Sequence, residues 1–168
     1  MKKEIERNYL EISSINDLNE SSISPVGYII EIINPANFQI NKFFYKNVGK
    51  KHRWTDRLAW SENEWIKYSS NPPVDTYIMK AKNDLAGYFE LILHLNHQEI
   101  EIAYFGLLED YHNKKLGGYL LSNAIKKSFE KKNIKRDWFH TCTLDHKNAI
   151  NNYISRGMKI FRKEKIVV

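Results

Sequence analysis

Two lysines, a histidine and a glycine pair fall close together in His112-Asn113-Lys114-Lys115-Leu116-Gly117-Gly118. Small residues beside fixed positive charge suit an anion. An apolar run precedes them (Ile100, Ile102, Tyr104, Phe105, Leu107, Leu108), and Leu116, Leu120, Leu121, Ala124, Ile125 and Phe129 follow at helical spacing. The segment therefore reads as strand, loop, then helix start. The first N–H groups of a helix have no intrahelical partner, and the helix dipole favours negative charge there. A phosphorylated ligand is expected at the start of this helix, with Lys114 and Lys115 adding formal charge.

Other side chains could move protons. His140 and His146 flank the segment His140-Thr141-Cys142-Thr143-Leu144-Asp145-His146, and either suits a proton relay near neutral pH. Glu90, in Gly87-Tyr88-Phe89-Glu90-Leu91, lies between apolar neighbours on a central strand. It either points into a polar cleft or pairs with a cation such as Arg57. Glu101 alternates with Glu99 on a polar strand face, and its alternatives are a base or a solvated surface residue. Cys142 lies in a strand with no positive helix terminus beside it, which fits an inert thiol and disfavours a covalent cysteine intermediate. One cysteine, and no histidine spacing that converges three ligands, argues against a zinc site; no metal is expected.

The elements that must hold these groups can be read from pattern. A short strand at 6–13 leads into a Ser/Asn-rich connector at 14–25, and both are expected at the periphery. A strand at 27–33 stops at Asn34-Pro35, and Phe38, Phe43, Phe44 and Val48 give 36–48 helical spacing ahead of Gly49. Ser61-Glu62-Asn63-Glu64 has the capping-box form before a second helix, which Asn71-Pro72-Pro73 ends. A meander follows at about 75–82, 85–95 and 98–108, with Asn83-Asp84 and Asn96-His97 as turns. The main helix, a strand near 135–144, a further helix and a closing strand near 158–167 complete one α+β domain spanning 1–168.

Composition narrows the class. The chain has 168 residues, 42% of them hydrophobic and 13% aromatic, which suits a globular domain and excludes wholesale disorder. No apolar run spans a membrane, and the opening MKKEIERNYLEI lacks an apolar signal region, so a cytoplasmic protein with no membrane partner is expected. The single cysteine fits a reducing compartment. The net charge of +6 would draw an anionic ligand, although Lys126, Lys127, Lys131, Lys132, Lys135 and Arg136 read mostly as a solvated helix end. No helix-turn-helix, zinc or aromatic RNA-binding pattern accompanies the charge, so nucleic acid is not an expected partner.

The loop at 112–117 resembles motif A of the GNAT N-acetyltransferase superfamily, where Arg/Gln-x-x-Gly-x-Gly/Ala wraps the pyrophosphate of coenzyme A. His112 replaces the Arg/Gln here and Lys115 the first glycine. Downstream, Asn148-Ala149-Ile150-Asn151-Asn152-Tyr153-Ile154-Ser155-Arg156-Gly157-Met158 resembles motif B, with Asp145 placed to cap that helix and Gly157 to end it. The strings RWTDRLAWSENEW, GYFEL, EIAYFGL and HTCTLDHKNA further resemble a bacterial subgroup of the superfamily.

This resemblance implies a mostly antiparallel sheet with helices on both faces and splayed fourth and fifth strands of the family core. A bulge is expected at Phe105, Gly106 and Leu107, where backbone pairs with the pantetheine arm, and Gly106 would ease either that bulge or a close backbone approach. The implied cofactor site comprises those three residues with His112, Asn113, Lys114, Lys115, Leu116, Gly117, Gly118, His146, Asn148 and Tyr153. The implied activity is acetyl-CoA-dependent N-acetyl transfer to a primary amine, by direct attack in a ternary complex. Glu101 or Glu90 would be the base and Tyr153 the acid that protonates the thiolate. The acceptor wall would use Trp54, Asp56, Arg57, Trp60 and His140. Lys115 carries a Cβ where the motif has glycine, which keeps a non-catalytic coenzyme A sensor as the alternative. The acceptor's identity, acyl-chain preference and the choice between monomer and homodimer stay open.

Overall fold

The computed structural model describes residues 3–168. Its strands are β1 (Glu4–Ile12), β2 (Tyr28–Ile32), β3 (Val74–Ala81), β4 (Asp84–His94), β5 (Glu99–Leu107), β6 (Arg136–Cys142) and β7 (Lys159–Val167). Its helices are α1 (Phe38–Gly49), α2 (Glu62–Ser69), α3 (Leu116–Phe129) and α4 (Ala149–Ser155). The strands form one mixed sheet in the order β2-β3-β4-β5-β6-β1-β7. Every pairing is antiparallel except β5 with β6.

Side-chain alternation sorts the sheet into two faces. On one, Leu10, Ile12, Met79, Phe89, Leu91, Ile100 and Ile102 pack against Leu116, Leu120, Leu121, Ala124 and Ile125 of α3. On the other, Ile78 and Tyr88 pack against Phe44 and Val48 of α1, with Phe44 stacked on Tyr88 at 4.6 Å. Burying each large aliphatic side chain is worth roughly 1.5–3 kcal/mol, so α3, with Leu116, Leu120, Leu121 and Ile125 buried, anchors the larger face. Helix α2 starts as expected: Ser61 Oγ accepts from Glu64 N–H while the Glu64 carboxylate accepts from Ser61 N–H.

The N-terminal strand is not peripheral. β1 lies inside the sheet, paired with β6 on one edge and β7 on the other. Residues 13–27 then cross the α3 side of the sheet as a strap. Asn19 Nδ2 donates to Ser155 O at 2.8 Å and Ser21 N–H to Ser122 Oγ at 2.9 Å, and Glu20 pairs with Lys126. Among the described residues no helix is long and apolar enough to cross a membrane.

Candidate active site

β5 and β6 pair only at Glu99↔Arg136, Ile100↔Asp137 and Glu101↔Trp138, and then part. The bend has a local cause. Opposite β4, Glu90 aligns with Tyr104 and Leu91 with Ile102, which leaves Ala103 as an extra residue in β5. Such a bulge bends the strand and shifts its side-chain alternation by one. Before it, Ile100 and Ile102 face α3; after it, Phe105 and Leu107 do, while Tyr104 turns to the α1 side. The bulge is therefore at Ala103, two to four residues earlier than the sequence placed it. Gly106 pairs in regular register with Tyr88. It is glycine because a Cβ there would overlap Val48 Cγ1 of α1.

The parted strands open a cavity of about 720 Å³ lined from both faces of the sheet. One end is the loop before α3. Asn113 and Lys115 both take left-handed backbone (φ 58 for each), and Lys115 is the N-cap residue of α3. The loop thus holds at Lys115 the backbone form a glycine would supply, and left-handed residues in such a turn aim successive N–H groups at an anion. Gly117 leaves open room, since a Cβ there would touch only Asn152 Nδ2 at 3.5 Å. His112, Asn113, Lys115, Leu116, Gly117, Gly118, His146 and Asn148 all line the cavity. His112 hydrogen-bonds Leu107 O through Nε2 at 3.0 Å, and its ring lies 5.6 Å from that of His146. Burial and then His112 hold the His146 pKa below its ordinary value. Lys114 is not in the lining; its Nζ sits over the Tyr111 ring.

Tyr153 lines the cavity, its ring against Phe139 (4.6 Å) and Phe105 (6.2 Å). Burial, then the Asp145 charge, pushes its hydroxyl pKa well up, so it keeps its proton. His140 lines the cavity from β6, where burial and then Arg7 lower its pKa and favour the neutral imidazole. Burial raises the Cys142 pKa, which suits a thiol rather than a nucleophilic thiolate. Asp145 does not cap α4. Its Oδ2 accepts from Thr141 Oγ1 (2.6 Å) and Cys142 N–H (2.8 Å), closing the turn after β6, while the N-cap residue Asn148 makes no side-chain cap bond.

At the other end Trp54 and Asp56 line the cavity, with the Tyr104 hydroxyl donating to Asp56 Oδ2 at 3.2 Å. Arg57 and Trp60 lie behind them, outside the lining. Trp60 packs on Trp65 and Tyr68. The Arg57 guanidinium is buried between rings, 3.9 Å from the centroid of Tyr68 and 4.3 Å from that of Tyr104. It pairs with Glu90, which is fully buried: Oε2 accepts from Arg57 Nη1 (3.0 Å) and Tyr68 (2.7 Å), and Oε1 from Asn41 (2.8 Å). Burial alone would lower the Arg57 pKa, but Glu90 together with Tyr68 and Tyr104 outweighs it and the cation persists. Glu90 thus sits in a closed network rather than in the cleft. Glu101 also lies outside the lining, bonded to His94 Nε2 at 2.8 Å.

Among the lining residues that escaped the sequence reading are Arg7, Ile5 and Tyr104. Arg7 and Ile5 reach the cavity from β1, and no local pattern announces that β1 joins β6. Tyr104 was legible as a strand aromatic, but its face depends on the bulge.

The acetyltransferase (GNAT) family model matches residues 29–158. The chain belongs to that family. No curated protein matches it significantly. Among solved structures, a functionally unknown conserved protein from Staphylococcus epidermidis superposes with a TM-score of 0.69 at 14% identity, over 99% of this chain and 62% of that one. A GCN5-related N-acetyltransferase from Kribbella flavida gives 0.67 at 15% identity, over 99% and 58%. The spermidine N-acetyltransferase of Vibrio cholerae, in complex with CoA and spermine, gives 0.63 at 14% identity, over 85% and 96%. At these identities the likeness is one of fold. The GNAT chain spans about three-fifths of the length of the first two neighbours.

Proposed function

We propose that this GNAT chain is an acetyl-CoA-dependent N-acetyltransferase that acylates a primary amine by direct attack in a ternary complex. The observation that carries the reading is the single cavity through the β5–β6 gap, with a cationic, N–H-rich loop at one end and Asp56, Trp54 and Tyr104 at the other. The donor's acetyl thioester is the reactive group. The free backbone edge of Phe105, Gly106 and Leu107 aligns the pantetheine arm, and the start of α3 binds its phosphates.

An amine must be neutral to attack. Asp56 draws the ammonium form in, and Trp54 packs on its alkyl part. His140 then receives the proton that the amine sheds: of the two cavity histidines with a depressed pKa it stands on β6, whereas His146 faces His112 beside the α3 loop. Glu101, favoured by family resemblance, and Glu90, favoured by its place on a central strand, are each bonded to other side chains outside the cavity. Glu101 acts on His140 only through space, opposing the depression of its pKa. Nitrogen bonds to the acetyl carbon, the carbon–sulfur bond breaks, and Tyr153 delivers its proton to the departing sulfur.

The test is thiol release from acetyl-CoA across a panel of primary amines. Amine-dependent release is expected, and it should fall sharply in His140→Gln while Glu101→Gln keeps most of it. Saturable acetyl-CoA binding with no thiol release across a broad panel would replace the enzyme reading with the sensor.

A further inference from the structure

Arg156 ends α4 and directs its guanidinium at the first turn of α3. Nη1 occupies the space that a Cβ on Gly118 would need, with Ser21 Oγ close by. Its Nε is buried and has no hydrogen-bond partner among the described residues. Elsewhere the half-buried and buried arginines have carboxylates: Arg7 has Glu164, Arg57 has Glu90, and Arg136 has Glu11 and Glu99. Arg156 has none among the described residues. Its surroundings are instead positive, formed by the N-terminal end of a 14-residue helix with Lys115 as its N-cap residue.

A cation held against the positive end of a helix is unfavourable unless an anion joins them. The backbone fixes it there nonetheless. Asn19 N–H donates to Arg156 O at 3.0 Å, and Asn19 Nδ2 to Ser155 O at 2.8 Å, so the strap holds the end of α4 against α3. Arg156 is not itself a cavity-lining residue; it stands behind Gly118, which with Gly117 and Asn152 forms the neighbouring cavity surface. His112, the counterpart of the family's Arg/Gln, is meanwhile committed to Leu107 O. Arg156 brings a fixed positive charge to the same helix start.

We propose that Arg156 is a phosphate-binding residue of the coenzyme A site, its guanidinium seated on Gly118 and paired with a phosphate oxygen of the nucleotide. This rests on the acetyl-CoA reading above and adds to it a residue outside both ends of the family loop. Gly118 is part of the same device, because its missing side chain is what admits the guanidinium.

Titration calorimetry with coenzyme A, dephospho-coenzyme A and acetyl-pantetheine tests the assignment. Arg156→Gln should bind coenzyme A about tenfold or more weakly, the scale of one charge-assisted hydrogen bond, and with a shallower salt dependence. Its affinity for acetyl-pantetheine, which carries no nucleotide, should be unchanged, and Arg156→Lys should recover part of the loss. Gly118→Ala is a second route: alanine favours the helix, and the clash is only with the movable end of Arg156. It should lower coenzyme A affinity in the same direction, and the double variant should be no weaker than the weaker single one. A deficit that persists with dephospho-coenzyme A places the contact on the pyrophosphate; one that disappears places it on the 3′-phosphate. Undiminished coenzyme A binding by Arg156→Gln, or an equal loss for acetyl-pantetheine, overturns the assignment while leaving the acetyltransferase reading intact. Failure of the unaltered protein to bind coenzyme A overturns both.

Discussion

Glu90→Gln separates two roles that sequence alone left open for this residue. The carboxylate accepts three hydrogen bonds, from Asn41 at 2.8 Å, Arg57 at 3.0 Å and Tyr68 at 2.7 Å, and is wholly buried. All three partners are donors. A glutamine can present its carbonyl to one side only, so its NH₂ must face either the Asn41 amide or the Arg57–Tyr68 pair. The Arg57 side chain, 8% exposed, would also lose its counter-charge. Removing one member of a buried ion pair costs about 3–5 kcal/mol. That is a large share of the roughly 5–15 kcal/mol that holds an ordinary domain together. Urea denaturation should show the loss as a lower midpoint with an unchanged slope. Thermal melting should fall by roughly 6–20 °C for a chain of this size. A catalytic base in an open cleft behaves oppositely, losing turnover while keeping stability. A variant of near-parental stability with strongly reduced turnover would refute the closed-network argument and return Glu90 to the chemistry.

Tyr153→Phe removes one hydroxyl and almost no volume, so kcat should fall about 10²-fold or more while acetyl-CoA affinity and melting temperature hold; full turnover would leave the ring a packing role. For His140 the folded-state pKa is depressed, so kcat should stay level from neutral pH to below the ordinary histidine range, then drop as the imidazole protonates. His140→Gln should lose that acid limb along with turnover, and an unchanged pH profile would contradict the base assignment. Asp137 is fully buried with neither carboxyl oxygen bonded among the described residues, and burial pushes its pKa well up. The unfolded chain therefore releases this proton first, so stability should decline as pH rises above the ordinary aspartate value of about 3.9. Asp137→Asn should flatten that decline and stabilise the protein at neutral pH, as read by denaturation at several pH values; a variant less stable than the parent at pH 7 would reverse the sign.

Local chemistry was legible, and long-range pairing was not. The Ser61–Glu64 box, the α3 face through Leu116 to Ile125, and the Asn83-Asp84 and Asn96-His97 turns of the meander all follow from short-range pattern, and each element lies within a few residues of where spacing put it. The bulge escaped because Ala103 carries no conformational signature. It is visible only when β5 is aligned on β4, and it decides which of Tyr104 and Phe105 faces α3. Gly106 reads from sequence as easing a bulge or a close approach; it carries no bulge, and what crowds it is the Val48 side chain on a helix more than fifty residues earlier. Sheet order is non-local, so nothing in residues 4–12 revealed that β1 enters between β6 and β7 and brings Arg7 to the cavity. In the acceptor wall, residue types were read correctly and depth was not. Asp56 and Trp54 meet the cavity, whereas Arg57 and Trp60, one and four residues past Asp56, turn into the aromatic layer behind it.

The most direct test of the account is to follow backbone amide NMR signals while acetyl-CoA is added. The site described here predicts saturable shifts centred on Gly117, Gly118, Lys115 and the freed edge at Phe105 and Leu107, with Ile29 and Ile32 on the far edge strand unmoved. Shifts confined to other surfaces, or none at saturating cofactor, would contradict the claim that the β5–β6 gap and the start of α3 form the donor site.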